Sequence, residues 1–166
     1  MDDAAPASRY YASLVGSWEG SFRVRITNRA ELSRLPMLTW LTGNAAHLSG
    51  AMWMQTTLDG KGRSFRHTTR VRAWGVTSFT TEEDIELADD GRTLRMTGVQ
   101  TPRFGKAERY DATGSIDEGA TRATYEITWL GCPLVQRTRI VTEGLELTQD
   151  TSWSHAEVLL RRVATR

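Results

Sequence analysis

The chain has 166 residues, enough for one domain with a substantial core, and we expect a single domain over residues 1–166. Its 21 basic and 20 acidic residues leave a formal charge of +1, which gives no reason to expect a nucleic-acid partner. The only cysteine, Cys132, excludes an internal disulfide and suits the reducing cytoplasm, and no signal peptide or membrane span is visible.

The first predicted strand runs from Trp18 to Thr27 and begins at the tripeptide Gly16-Ser17-Trp18. A short apolar turn, Tyr10 to Val15, precedes it, and the last strand of the chain carries Arg161 and Arg162. This combination resembles the calycins, the group of lipocalins and fatty-acid-binding proteins. In them the Gly-x-Trp lies at the closed end of a barrel and an arginine of the last strand packs across the Trp ring. The resemblance implies a β-barrel around a small-molecule cavity.

The next segment has helical rather than strand spacing. Asn28 is a candidate N-cap, Pro36 should kink the helix and Gly43 lies where it ends, so we expect a short helical insert near residues 29–42, between strands one and two. Fatty-acid-binding proteins place a longer helical pair there as a lid. We expect the insert to cap the barrel. The alternatives are a ligand gate and a membrane-touching patch formed by Met37, Leu38, Trp40 and Leu41.

The rest of the chain consists of strand-length segments separated by turn residues. Regular spacing of this kind is typical of an antiparallel sandwich or barrel. With the resemblance above, it predicts an all-β, up-and-down, calycin-like barrel of about 8 to 10 strands. The turns are at Asp59-Gly60-Lys61-Gly62, Trp74-Gly75, Asp90-Gly91, Glu118-Gly119, Leu130-Gly131-Cys132-Pro133 and Glu143-Gly144.

Hairpin registers predict which side chains face inward, because a correct register pairs apolar with apolar residues on one face. A two-residue turn at Asp90-Gly91 and a three-residue loop at Trp74-Gly75-Val76 agree in setting His67 opposite Glu83 on that face. Turns at Gly60-Lys61, Glu118-Gly119, Gly131-Cys132 and Glu143-Gly144 predict a further set of opposed pairs. These are Met54 with His67, Ala112 with Tyr125, Tyr125 with Thr138, Trp129 with Leu134, and Gln136 with Thr151.

The predicted interior mixes apolar and polar side chains. A solid core would not hold so many polar groups, because each one buried without a partner costs roughly 1–3 kcal/mol. Polar groups on the inner face of a small barrel instead indicate a cavity. The predicted ligand-binding residues are Met52, Met54, Phe79, Gln100, Tyr125, Gln136, Thr138, Gln149 and Trp153.

The predicted catalytic residues are His67 and Glu83. Directly opposed residues have Cβ atoms roughly 4.5–5.5 Å apart, within reach of an imidazole–carboxylate hydrogen bond. In a cavity such a pair makes a general acid/base, with His67 carrying the proton and Glu83 orienting the ring. The alternative is a mutually satisfied pair that only shapes the pocket.

His155 supports a different interpretation. Nitrobindin-like haem barrels place their iron-ligating histidine at a similar point near the last strand, and they also open with Gly-x-Trp-x-Gly, here Gly16 to Gly20. Fatty-acid-binding proteins hold a carboxylate with an Arg-x-Tyr on the last strand. Those positions here are Val158 and Leu160, which disfavours a simple fatty-acid carrier. No catalytic triad, metal-spaced Cys/His set or nucleotide-binding motif is present.

Three hypotheses follow for the function. The first is a cofactor-free enzyme that holds a flexible hydrophobic substrate and promotes its cyclisation or isomerisation, as small calycin-like cyclases of bacterial natural-product pathways do. The second is a non-catalytic carrier of a hydrophobic metabolite, and the third is the haem barrel. In the first two the partner is a small molecule, no cofactor is needed, and the protein is a monomer or homodimer.

Overall fold

The computed structural model describes residues 5–35, 42–73, 75–103, 105–142 and 144–163. Ten antiparallel strands form a closed up-and-down barrel, in which each strand pairs with its chain neighbours and the last closes on the first. This confirms the predicted all-β antiparallel barrel. The strands are β1 (Gly16–Ile26), β2 (His47–Lys61), β3 (Ser64–Ala73), β4 (Val76–Leu87), β5 (Thr93–Pro102), β6 (Glu108–Ile116), β7 (Arg122–Trp129), β8 (Cys132–Val141), β9 (Gly144–Thr151) and β10 (Ser154–Val163).

A helix precedes the barrel where the sequence predicted only an apolar turn. This helix, α1 (Pro6–Leu14), has a proline at its start, where the missing N–H costs nothing. Its buried residues share one face, since helical neighbours are three or four positions apart. They are Ala7, Tyr10, Tyr11 and Leu14. The prediction of a turn at Tyr10 to Val15 was therefore wrong, although this spacing was present in the sequence.

Helix α1 closes one end of the barrel, here called the floor. The Ala7 N–H donates to the Gly91 carbonyl at 3.1 Å, in the β4–β5 turn. The Arg9 guanidinium donates to the Glu118 carbonyl at 3.0 Å, in the β6–β7 turn. Because alternate turns of an up-and-down barrel lie at opposite ends, the β7–β8 and β9–β10 turns lie at the other end, here called the mouth.

The floor contains the Trp–Arg arrangement that the resemblance implied. The guanidinium of Arg162 lies 4.5 Å from the centroid of the Trp18 ring. Arg162 also donates to the carbonyls of Ser13 and Val15, and the Trp18 indole N–H donates to the Leu14 carbonyl at 2.9 Å. These donors satisfy carbonyls that the end of α1 would otherwise leave unpaired, so one cluster joins helix, first strand and last strand.

The insert between β1 and β2 begins as predicted. Helix α2 (Arg29–Leu32) is one turn long, and the Asn28 side chain accepts from the Glu31 N–H at 3.3 Å as its N-cap. The candidate capping or membrane-touching residues Met37, Leu38, Trp40 and Leu41 lie outside the described residues. No helix in the described ranges combines the length and the hydropathy that a membrane span requires.

The registers of β3, β4 and β5 around His67 and Glu83 are those predicted from the sequence. The predicted three-residue loop between β3 and β4 was wrong, since Ala73 pairs with Val76, and a bulge between Val71 and Arg72 restores the predicted register. His67 faces Glu83, Phe65 faces Ile85, and Thr81 faces Gln100. These hairpins use the turns that the sequence marks most clearly, including Asp90-Gly91, where the Asp90 carboxylate accepts from the Arg92 and Thr93 N–H groups. The opposition of His67 and Glu83 is therefore part of the sheet.

Four other hairpins are shifted from their predicted registers. The turns lie elsewhere: Lys61 pairs with Ser64, Trp129 with Cys132, and Val141 with Gly144, while a longer loop joins β6 to β7. Each shift is an even number of residues, so every side chain keeps its predicted face. The observed partners are Met54 with Val71, His67 with Leu58, Ala112 with Ile127, Tyr125 with Gly114 and Gln136, Leu134 with Ile127 and Thr151, Thr138 with Leu147, and Gln136 with Gln149.

Candidate functional site

The barrel encloses a cavity of about 400 Å³, lined by α1 and all ten strands. This volume lies within the range typical of small-molecule sites. Most of the wall is apolar, and no lysine or arginine of the described residues lines it. The wall includes both predicted catalytic residues and every predicted ligand-binding residue: His67, Glu83, Met52, Met54, Phe79, Gln100, Tyr125, Gln136, Thr138, Gln149 and Trp153. Their roles toward a ligand remain predictions.

His67 and Glu83 are hydrogen-bonded on the cavity wall. The His67 Nδ1 lies 2.8 Å from one carboxylate oxygen of Glu83, and the Tyr110 hydroxyl donates to the other oxygen at 2.6 Å. Only 7% of the His67 side chain and 16% of the Glu83 side chain are exposed. A carboxylate beside Nδ1 favours the ring proton on that nitrogen, which leaves Nε2 as the acceptor nitrogen of the ring.

The Tyr110–Glu83 bond depends on a glycine in the strand between them. Gly98 on β5 faces Glu83 on one side and Tyr110 on the other. A Cβ at Gly98 would lie 2.2 Å from the Tyr110 Cζ, so only a glycine lets the ring lie across β5 and reach the carboxylate. A large side chain at Gly98 would displace Tyr110 before it filled the cavity.

The predicted ligand-binding residues Gln136, Thr138 and Gln149 do not form one group in the structure. The Gln149 side-chain amide donates to the Gln136 carbonyl oxygen at 2.7 Å, as expected of cross-strand partners. Thr138 instead forms a hydrogen bond with the Tyr10 hydroxyl of α1, so its side chain belongs to the floor. The two glutamines retain an amide N–H and a carbonyl lone pair that a neutral ligand could use.

All four tyrosines of the chain line the cavity, and all are held in the neutral form. Burial raises the pKa of Tyr10 to about 12. Burial also raises the pKa of Tyr11, Tyr110 and Tyr125 above its ordinary value, and the negative charge of Glu83 adds to the effect. The four phenols are therefore hydrogen-bond donors at neutral pH.

We expect no tyrosine to ionise near pH 10 while the barrel is folded. A tyrosine whose pKa is raised by folding stabilises the folded protein at pH values below 10.0, its ordinary pKa. This contribution to stability is lost as the pH rises above 10.0. For Tyr10 alone the loss is roughly 2–3 kcal/mol by about pH 12. Tyrosinate absorbance and near-UV circular dichroism should therefore change together at alkaline pH. A tyrosine that titrates near pH 10 with the dichroism intact would contradict this.

Four buried side-chain atoms in the described ranges have no hydrogen-bond partner within 3.5 Å, although the Tyr11 hydroxyl interacts with Tyr125 at longer range, and all four belong to residues of the cavity wall. They are the Tyr11 hydroxyl oxygen, His67 Nε2, Trp129 Nε1 and Trp153 Nε1. The Tyr11 ring packs 5.1 Å from the His67 ring, so two of them share one part of the wall. Tyr11 and Trp129 were missed from the sequence: Tyr11 because α1 was missed, and Trp129 because only its apolar surface was considered.

His155 does not fit the role of a haem ligand within the cavity. It lies on β10 between Ser154 and Ala156, which line the cavity, and strand alternation therefore turns it outward. Its Nδ1 lies 2.6 Å from an Asp150 carboxylate oxygen, and its Nε2 lies 3.5 Å from a Glu157 oxygen. The hydrogen bond to Asp150 raises the pKa of His155, so its ring nitrogens are committed to surface carboxylates.

Comparison with known proteins places the chain by its fold only. No protein-family model and no curated protein sequence matches it. The crystal structure of Rv2717c from M. tuberculosis superposes with a TM-score of 0.62 at 15% sequence identity. The match covers 98% of this chain and 100% of that one, so the two proteins share the whole barrel.

Proposed function

We propose that the protein is a cofactor-free enzyme that moves a proton on a hydrophobic small molecule and so promotes its isomerisation or cyclisation. The observation that carries this proposal is the state of His67. Its Nδ1 is fixed by Glu83, while its buried Nε2 has no hydrogen-bond partner and its ring belongs to the wall of the barrel cavity. An oriented imidazole with one free nitrogen is the arrangement expected of a general base.

The reaction that fits this arrangement starts from a carbonyl compound. Nε2 of His67 accepts a proton from the carbon next to the carbonyl, and the electron pair of the broken C–H bond moves to the carbonyl oxygen. Returning the proton to another carbon gives an isomer. Alternatively, the enolate carbon attacks a second carbonyl of the same molecule, and the proton passes to the new alkoxide. Both routes balance without a cofactor, and Glu83 stabilises the imidazolium in each.

The wall composition supports a neutral, hydrophobic substrate. Apolar side chains from most strands surround the dyad, and no lysine or arginine among the described residues is present to hold a carboxylate. A mostly apolar wall strengthens the interaction between the imidazolium and the carboxylate, which lowers the barrier to proton transfer. If the gene of this protein lies among biosynthetic genes of a bacterial natural-product pathway, that position would support this reaction class.

A small unsaturated ketone tests the proposal without knowledge of the natural substrate. We expect the wild-type protein to convert a β,γ-unsaturated cyclohexenone into its conjugated isomer faster than buffer does, followed by near-ultraviolet absorbance. In D2O, deuterium should enter the product. The matched control is His155→Ala, which removes a histidine from the outer surface and should leave the rate unchanged. Binding of the ketone without conversion would favour the second candidate, a carrier.

A further inference from the structure

The unpaired buried atoms of the wall lie at both ends of the cavity. Tyr11 projects from α1 at the floor, where its ring packs on His67. Trp129 ends β7, and Trp153 lies in the turn between β9 and β10, so both belong to the mouth. Packing alone does not require these polar atoms, and a buried polar atom without a partner is costly, so the atoms call for another explanation.

The chemistry of these atoms specifies what a ligand must offer. An indole N–H can only donate, and the Tyr11 phenol is held neutral by burial and is thus available as a donor. The ligand must therefore present acceptor oxygens at the mouth and at the floor. No lysine or arginine of the described residues faces them, so charged carboxylate or phosphate oxygens would lack a counter-charge.

We propose that the cavity binds an elongated, neutral, hydrophobic molecule with a carbonyl-type oxygen near each end. One oxygen accepts from the Tyr11 hydroxyl beside His67, and the other accepts from the indoles of Trp129 and Trp153. This inference refines the substrate of the proposed function but requires only that the cavity binds a ligand. A substrate held at both ends is held extended, which favours proton relocation at the floor over closure between the two ends.

Three probes of equal length test the inference: a linear alkane with a methyl ketone at both ends, the same chain with a ketone at one end, and the parent alkane. Calorimetric titration of the wild-type protein should give affinities in that order. Each ketone should add roughly 3- to 10-fold, the effect of one neutral hydrogen bond. Equal affinities for the diketone and the alkane would overturn the inference.

Amino-acid replacements test which residues bind each end of the ligand. Tyr11→Phe should reduce the affinity for the diketone to that for the monoketone in the wild type, with the alkane unchanged. Combined replacement of Trp129 and Trp153 with Phe removes the donors at the mouth and should also reduce the affinity for the diketone to that for the monoketone. The melting temperature of ligand-free Tyr11→Phe should fall little, because the lost hydroxyl has no close partner and only a longer-range interaction with Tyr125. A Tyr11→Phe variant that melts lower and keeps the full preference for the diketone would show a structural role and overturn the inference.

Two controls match these variants in residue type. Tyr10→Phe removes the neighbouring phenol, whose hydroxyl is already bonded to Thr138, so it should lower the melting temperature and keep the preference for the diketone. Trp53→Phe removes an indole that stacks with Arg72 and should leave all three affinities unchanged. A carrier without turnover would still pass these tests, whereas a barrel that isomerises ketones but binds the three probes equally would fail them.

Discussion

Replacing His67 with alanine is expected to lower the conversion rate of the unsaturated ketone by about 10²–10⁴-fold, the usual contribution of a general acid–base group. The expectation rests on the hydrogen bonds of the dyad: Glu83 fixes Nδ1, so the proton can only travel through Nε2. Alanine removes the proton carrier without filling the cavity, and binding of the alkane probe should therefore persist. Rate measurements at saturating ketone separate the lost chemistry from weakened binding.

Glu83→Gln should lower the rate over a similar range, because glutamine keeps the size of the side chain but not the charge that stabilises the imidazolium. The double variant with His67→Ala should be little slower than either single variant, since both residues serve one proton transfer. Tyr110→Phe removes only the hydrogen bond to the second oxygen of Glu83 and should have a smaller effect.

Equal rates in wild type, His67→Ala and Glu83→Gln would contradict the proposed mechanism. The cavity would then act by shape alone, or would only carry its ligand. In that case each replacement should change stability or binding by about 1–3 kcal/mol, the cost of an unsatisfied buried partner, and leave the rate unchanged. Thermal melts of both variants distinguish a lost catalyst from a lost fold.

Gly20→Ala is expected to destabilise the barrel by about 3 kcal/mol, at the upper end of the effects of overpacking. Gly20 pairs with Leu160 on β10 and with Met52 on β2, where the last strand closes on the first. A Cβ at this position would lie 1.9 Å from the Leu159 carbonyl oxygen. That oxygen belongs to the backbone, so relief requires β1 and β10 to separate. For a chain of this size the melting temperature should fall by about 6–12 °C.

Gly119→Ala is the matched control for this replacement. Gly119 lies in the β6–β7 loop, and a Cβ there would meet its nearest neighbours at 3.7 Å, an ordinary contact. We expect its stability to change by less than about 0.5 kcal/mol, as for most surface replacements. If both variants have the melting temperature of the wild type, β1 and β10 do not approach each other as closely as in the structure.

The inward face of the barrel could be predicted from the sequence because strand side chains alternate with a period of two. A turn misplaced by one residue moves the register by two, so the partner is wrong while the face is right. This is why Gln136 was predicted to line the cavity although its predicted partner, Thr151, was wrong. The His67–Glu83 opposition was also correct in its register, because a bulge between Val71 and Arg72 offsets a β3–β4 turn one residue shorter than predicted.

The floor was decided by tertiary structure. Helix α1 is short, and its stability comes from burying Tyr10, Tyr11 and Leu14 against strands far along the chain. No local pattern states that Tyr11 will pack on His67, or that Tyr110 will reach Glu83 across a glycine. The sequence by itself thus determined the fold class, the face of each strand and the dyad, since these follow from local alternation and turn chemistry. The tertiary structure decided which buried polar atoms have no partner, because that depends on contacts between residues distant in the chain.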